Sequence, residues 1–260
     1  MLRPRITPCL LIHEGGLVKT VSFKAPKYVG DPINAVKIFN EKESDELIVL
    51  DIDASVNGVD PNYKLIADLA VECRMPLCYG GGIRTVAQAK RIISLGVEKV
   101  AISSAALENP ELISEIANEL GRQSVVVVLD IKKRMFGKEY DVYIHNGRKN
   151  IKRSVLEVAQ QMESLGAGEI VINSIDNDGQ MKGYDVSIAQ RVREAVNIPI
   201  TILGGAGSLN DIESLIRACG VIGASAGSLF VFKGVYKAVL INYPNVVQRD
   251  ELISRAVLNR

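Results

Sequence analysis

Along the chain, apolar runs of strand length alternate with stretches whose apolar residues recur at helical spacing. The runs are Ile6–Ile12, Leu47–Asp53, Pro76–Gly80, Lys99–Ser103, Ser124–Ile131, Glu169–Ile175, Pro199–Leu203 and Val221–Ala224. Most are continuously apolar rather than alternating, the pattern of parallel strands covered on both faces. Helix starts lie between them. Asp31-Pro32, Asp60-Pro61 and Asn109-Pro110 each offer a capping side chain followed by a proline suited to the first helical position. Thr85, Ser154, Asp185 and Ser208 are further cap candidates, and a last helix is expected over roughly Gly234–Ile241. Eight such units predict a (β/α)8 TIM barrel, with a doubly wound open sheet as the competing architecture.

An internal repeat favours the barrel. Laid over one another, Pro76–Ala105 and Pro199–Ser228 match Gly80 with Gly204, Gly81 with Gly205, Gly96 with Gly220 and Ser104 with Ser228, all at an offset of 124. Glu46–Asp53 matches Glu169–Asp176 at an offset of 123. Two similar half-barrels of four units each close naturally into a ring, so a single domain over 1–260 is expected. One segment interrupts the pattern. Met135–Asn150 reads as a hairpin inserted after the fifth strand, with Asn146-Gly147 suited to a tight turn. It and the long first loop, Glu14–Gly30, are expected to cover the catalytic face.

Composition narrows the function classes. Lys and Arg number 31 against 30 for Asp and Glu, leaving a net charge of +1 and no basic field for a nucleic-acid backbone. No apolar stretch is long enough to span a bilayer, and the first residues lack a signal-peptide pattern. Four cysteines without a CxxC pair, and only two histidines, speak for free thiols in a reducing cytoplasm and against a metal site. No cofactor is implied.

In a barrel, chemistry collects at the C-terminal strand ends. There the repeat sets Gly80–Gly82 and Ser103-Ser104 in one half, and Gly204–Gly207 and Gly227-Ser228 in the other. Glycine permits close approach of an anion, and helix N–H groups can bind it, so two phosphate cups on opposite sides of the mouth are expected. The ligand would carry phosphate at both ends. The same glycines can also serve tight turns alone, and duplication together with hydroxyls favours the cups. The acid–base candidates are Asp51, Asp53, Asp130, Asp176 and Asp178. Asp130 stands out, since a carboxylate closing the run Val125–Leu129 is costly to bury without a role. In the first half the register sets Leu11 opposite it. Asp51 and Asp176 can equally cap turns or pair with Lys19, and Lys19 itself can be a substrate contact or a solvated loop lysine.

Taken together, the repeat, Val-Val-Val-Leu-Asp130, Asp176-x-Asp178-Gly179 with Gly183-Tyr184-Asp185, and Gly204-Gly-Ala-Gly207 resemble the HisF family, the cyclase subunits of imidazole glycerol phosphate synthase. The resemblance runs from about Arg5 to Asn242. It implies a lyase-type barrel of histidine biosynthesis that pairs with a HisH-type glutaminase as a heterodimer. Ammonia would pass through the barrel to a bis-phosphorylated aminoimidazole carboxamide ribonucleotide, giving imidazole glycerol phosphate and an AICAR product. Position by position, the resemblance assigns acid/base work to Asp130 and the loop-one lysine to Lys19. It assigns phosphate contacts to Gly82, Ser104, Gly205, Ala206, Gly227 and Ser228, with Ser103 at a substrate-holding position. Arg5, Glu46, Lys99 and Glu169 match a charged ring that gates ammonia at the opposite end, and Glu98 an acidic residue facing the glutaminase.

The departures lie at the ring-forming end. Leu11 stands at the family's first catalytic aspartate, Ser103 at an asparagine, Gln180 at a threonine and Leu203 at a serine. Loss of a general acid or base typically costs about 10²–10⁴-fold. Three functions stay open: a working cyclase subunit, a pure glutaminase-activating scaffold, or an ammonia-conducting subunit. The departures favour the conducting subunit, which serves a separate acceptor such as an acetamidino-sugar amidotransferase of surface-polysaccharide synthesis.

Overall fold

A computed structural model describes residues 3–135 and 137–258. Residues 1, 2, 136, 259 and 260 lie outside the described residues, and with them the ends of the expected 1–260 span and one position of the expected 135–150 hairpin. The barrel strands are β1 (Arg5–His13), β2 (Leu47–Asp51), β3 (Leu77–Gly80), β4 (Lys99–Ile102), β5 (Val125–Lys133), β6 (Glu169–Ser174), β7 (Ile200–Leu203) and β8 (Gly223–Ala226). Each is parallel to the next, and β8 pairs with β1, with Arg5 beside Gly223, so the sheet closes into a (β/α)8 TIM barrel. The open-sheet alternative is thereby set aside.

Continuous apolar runs follow from this closure. Along β5, Val125, Val127, Leu129 and Ile131 face the helices, while Val126 and Val128 join Cys9, Ile48, Cys78, Ala101, Val171 and Leu203 inside the lumen. Both strand faces are buried, and the alternation shows only in which core a residue joins. The helical layer begins where its caps allow. Asp31 accepts from Asn34 N at 2.8 Å, and Thr85 and Ser208 each complete a reciprocal capping box.

Several expected boundaries shift. Asp60 does not cap; its carboxylate is taken by Arg84 and Gln88, and Asn62 caps the helix Tyr63–Glu72 instead. Asn109 makes no side-chain cap before Glu111–Leu120, nor does Ser154 before Val155–Ser164. The first loop is itself a hairpin of Gly16–Val21 and Lys24–Gly30. The inserted hairpin pairs Tyr140–Ile144 with Lys149–Ser154 and turns at His145–Arg148, with Asn146 at φ 56° and Gly147 at φ 73°. The helix expected at 234–241 is absent. Gly234 (φ 73°) and Lys237 (φ 48°) turn the chain into a short hairpin, and Leu240 N donates back to Val231 O at 2.8 Å. Gly234 and the β-branched Val235 and Val239 weaken a helix there, and no core face awaits one. The final helix is Val246–Leu258, with Leu252 and Ala256 buried and Arg249 donating to Glu43 O at 2.6 Å. Among the described residues no helix is long and apolar enough to cross a membrane.

Candidate functional site

At the C-terminal strand ends lies a cavity that is open to solvent at its mouth. Its lining brings together Lys19, Asp130, Gly82, Ser103, Ser104, Gly205, Ala206, Gly227 and Ser228, drawn from both half-barrels. The β3–β4 and β7–β8 groups lie across the mouth from one another, as their places in the strand order require. Two positions depend on glycine. At Gly82 (φ 73°) an added Cβ would lie 2.9 Å from Val59 O, and at Gly205 (φ 114°) it would strike Gly183 O.

Asp130 sits on the cavity floor, three residues before the end of β5, with Asn173 of β6 as its hydrogen-bond partner. Burial pushes its carboxyl up to about 7 against the opposing effect of the Asn173 bond, and the charge on Asp178 adds to the rise. A carboxyl so placed can exchange a proton near neutrality. The rest of the floor is apolar: Leu11, Leu50, Val128 and Leu203. Lys19 is buried, and its Nζ donates to Cys9 O at 2.6 Å across the space left by Gly227. Burial lowers its pKa.

The remaining carboxylates shape the loops. Asp51 accepts from the backbone of Asp53 at 2.9 Å and Ala54 at 3.0 Å, Asp53 pairs with His13, and Asp176 accepts from Lys133 N at 3.0 Å. The turn-capping reading therefore holds for Asp51, whereas Asp176 ties its loop to the end of β5, and neither pairs with Lys19. Asp178 accepts from Thr20 Oγ1 at 2.6 Å and Phe23 N at 3.0 Å, tying the first hairpin over the cavity. From the other side, His145 N donates to Ser104 Oγ at 2.9 Å. Ser103 Oγ is buried with no hydrogen-bond partner among the described residues, so this hydroxyl can bond a ligand in the cavity.

At the opposite end, Arg5, Glu46, Lys99 and Glu169 form a closed ring of alternating charge. Arg5 reaches Glu46 and Glu169 at 2.6 Å each, and Lys99 reaches them at 2.6 and 2.9 Å. Burial alone would raise the Glu169 carboxyl, but Lys99 and Arg5, helped by the Thr201 hydroxyl, hold it below the usual range. Each charge thus meets two of opposite sign, which makes burial tolerable. Glu98 is exposed on the same end, its Oε2 accepting from Leu77 N at 2.7 Å.

Between the ring and the floor, one wall of the lumen is polar. Thr201 Oγ1 donates to Glu169 Oε1 at 2.6 Å; one layer up, Ser225 Oγ donates to Thr7 O at 2.9 Å, and the buried Thr7 Oγ1 has no hydrogen-bond partner among the described residues. Next come the Cys9 carbonyl and Lys19. Sequence reasoning missed Thr7, Thr201, Ser225 and Asn173. The signal was the period of two from Arg5 through Thr7 and Cys9 to Leu11, which sets hydroxyls on the lumen side of apolar strands.

Residues 5–237 match the family described as Histidine biosynthesis protein. The chain is 58% identical over 252 residues to a protein of Leptospira borgpetersenii provisionally named imidazole glycerol phosphate synthase subunit HisF, covering 97% of this chain and 99% of that one. A Pseudomonas aeruginosa protein provisionally named subunit hisF2 is 54% identical over 250 residues, covering 96% and 99%. The imidazole glycerol phosphate synthase subunit HisF of Lactococcus lactis is 44% identical over 230 residues, covering 88% and 89%.

Proposed function

Since the chain belongs to the histidine biosynthesis protein family as a HisF-type subunit, we propose that it is the synthase-side subunit of a glutamine amidotransferase complex. It takes ammonia from a HisH-type glutaminase at the face bearing Glu98 and the Arg5–Glu46–Lys99–Glu169 ring. It conducts the ammonia past Thr201, Thr7 and Ser225 and releases it beside Lys19 at the opposite mouth. The acceptor is a separate enzyme, such as an acetamidino-sugar amidotransferase of surface-polysaccharide synthesis.

One observation carries this reading: Leu11 shares the cavity floor with Asp130, so the floor holds one near-neutral carboxyl where paired acid–base work needs two. Leu50 and Leu203 extend the apolar surface and add no proton donor. Ammonia crosses such a surface as the neutral base, and the hydroxyl wall offers it hydrogen bonds on the way.

The second reading, an active cyclase subunit of histidine biosynthesis, draws on a different observation. Both glycine cups, Ser104 and Ser228, and the unpartnered Ser103 hydroxyl remain around the cavity, which suits a small molecule phosphorylated at both ends. Ammonia-dependent turnover of the bis-phosphorylated ribonucleotide, by the chain and by its Leu11→Asp variant, separates the two. The conducting reading expects turnover lower than the variant's by about 10²–10⁴-fold. Robust turnover by the unaltered chain, no faster in the variant, would establish the cyclase instead.

A further inference from the structure

Four residues after Ser228 the chain leaves the cavity wall as a hairpin, Phe232–Lys233 paired antiparallel with Ala238–Val239. Every residue from Lys233 to Leu240 is exposed. Val235 and Tyr236 at the tip are 95% and 96% exposed, and Val239 and Leu240 are about half exposed. Single exposed apolar residues are ordinary, but four large ones on one projection make a patch of the kind that partners cover. A two-stranded hairpin has little stability of its own, so these side chains do not serve a core.

The hairpin leans on the first loop, with Lys27 Nζ 5.3 Å from the centre of the Phe232 ring. Lys24, Lys27, Lys233 and Lys237 lie on these two segments, and neither 24–30 nor 232–240 contains an acidic residue. The lysines in ion pairs among the described residues are Lys37, Lys90 and Lys99, none of them here.

We propose that this basic, tyrosine-tipped hairpin, with the Lys24–Gly30 strand beside it, is the docking surface for the enzyme that consumes the ammonia, a partner with an acidic surface around an apolar groove. The proposal rests on the reading that ammonia is handed on. The hairpin follows the cavity-lining Ser228 and touches the first loop, whose Lys19 and Phe23 line the same cavity, and ammonia released from that cavity into water becomes protonated and is lost as a nucleophile. A partner seated on the hairpin closes that path. A second copy of the chain meeting it symmetrically would set lysines against lysines, and a lipid surface would offer no acceptor group.

The test reconstitutes the chain, its HisH-type glutaminase and the acetamidino-sugar amidotransferase, and follows glutamine-driven amidination as the chain is titrated. Tyr236→Asp and Val235→Asp change only exposed side chains and should leave glutaminase stimulation, exerted from the opposite face, intact. Each should raise the chain concentration for half-maximal coupling at least about tenfold, and ammonium-driven amidination by the acceptor alone should not change. Unchanged coupling in both variants overturns the proposal. Coupling left intact while Tyr236→Asp alters the mass of the chain in solution, or abolishes binding to anionic phospholipid vesicles, overturns it in favour of self-association or a membrane. An unaltered chain that stimulates the glutaminase yet never drives the amidotransferase sinks the underlying reading rather than the surface.

Discussion

Asn173 and Asp130 are register partners on β6 and β5, and Asn173 Nδ2 donates to Asp130 Oδ1 at 2.9 Å. The folded chain holds the Asp130 proton up to about pH 7, whereas an unfolded aspartate releases it near 3.8. Stability from this group is therefore fully present below about 3.8, falls as pH rises towards 7, and is flat above that. Asp130→Asn has no such proton, so its stability relative to the parent should grow between about pH 4 and about pH 7. Urea unfolding of both proteins across that range checks this. A constant difference would contradict a buried, protonated carboxyl.

Thr7→Val separates conduction from folding. The unpartnered hydroxyl costs stability, so an isosteric methyl should raise the unfolding free energy by about 1 kcal/mol. If ammonia pauses at Thr7, the same variant should deliver less product per glutamine hydrolysed, while externally supplied ammonium at the acceptor restores the yield. A more stable chain with full coupling would move the path away from Thr7.

Lys99→Met leaves Glu46 and Glu169 sharing Arg5 alone. About a fifth of the Lys99 side chain is exposed, so the loss should be moderate, about 2 kcal/mol by denaturant unfolding. Glutamine hydrolysis should continue while product formation lags behind it. Coupled yield equal to the parent's would remove the ring from the ammonia route.

Gly223→Ala probes the lower lumen. The added Cβ would strike Thr201 Oγ1 and lie 2.8 Å from Thr201 Cβ, displacing the hydroxyl that holds Glu169. We expect a loss of about 2 kcal/mol, read as a lower midpoint in thermal unfolding.

The barrel was legible because its strands are buried on both faces, yet that same burial hid which residues face inward. Nothing in the run Val125–Ile131 tells Val126 and Val128 from their neighbours until the sheet closes. Asp130 and Leu11 could be singled out as strand-end residues, since a buried charge is conspicuous. Asn173 could not: it is uncharged, and the half-barrel repeat aligns it with Leu50, a residue with no chemistry to flag. Thr7, Thr201 and Ser225 read as small fillers of apolar strands. Asp60-Pro61 had the right chemistry for a cap, but Arg84 and Gln88 reach its carboxylate from a neighbouring loop, a competition that local sequence does not record. The helix expected over Gly234–Ile241 fails because every residue from Lys233 to Leu240 is exposed, so no buried face holds a helix there.

The closure of β1 on β8 sets an order of events during synthesis. Arg5 finds Gly223, and Ile6 O accepts from Tyr243 OH at 2.7 Å, across more than two hundred residues of chain. On the ribosome, β1 can pair early with β2 along Cys9–Ile12 and with Gly16–Val21 along Leu11–His13, but its Arg5–Pro8 edge stays bare until the last strand has emerged. During that interval the unpaired edge, flanked by apolar Ile6 and Leu10, is the stretch a chaperone would most need to shield.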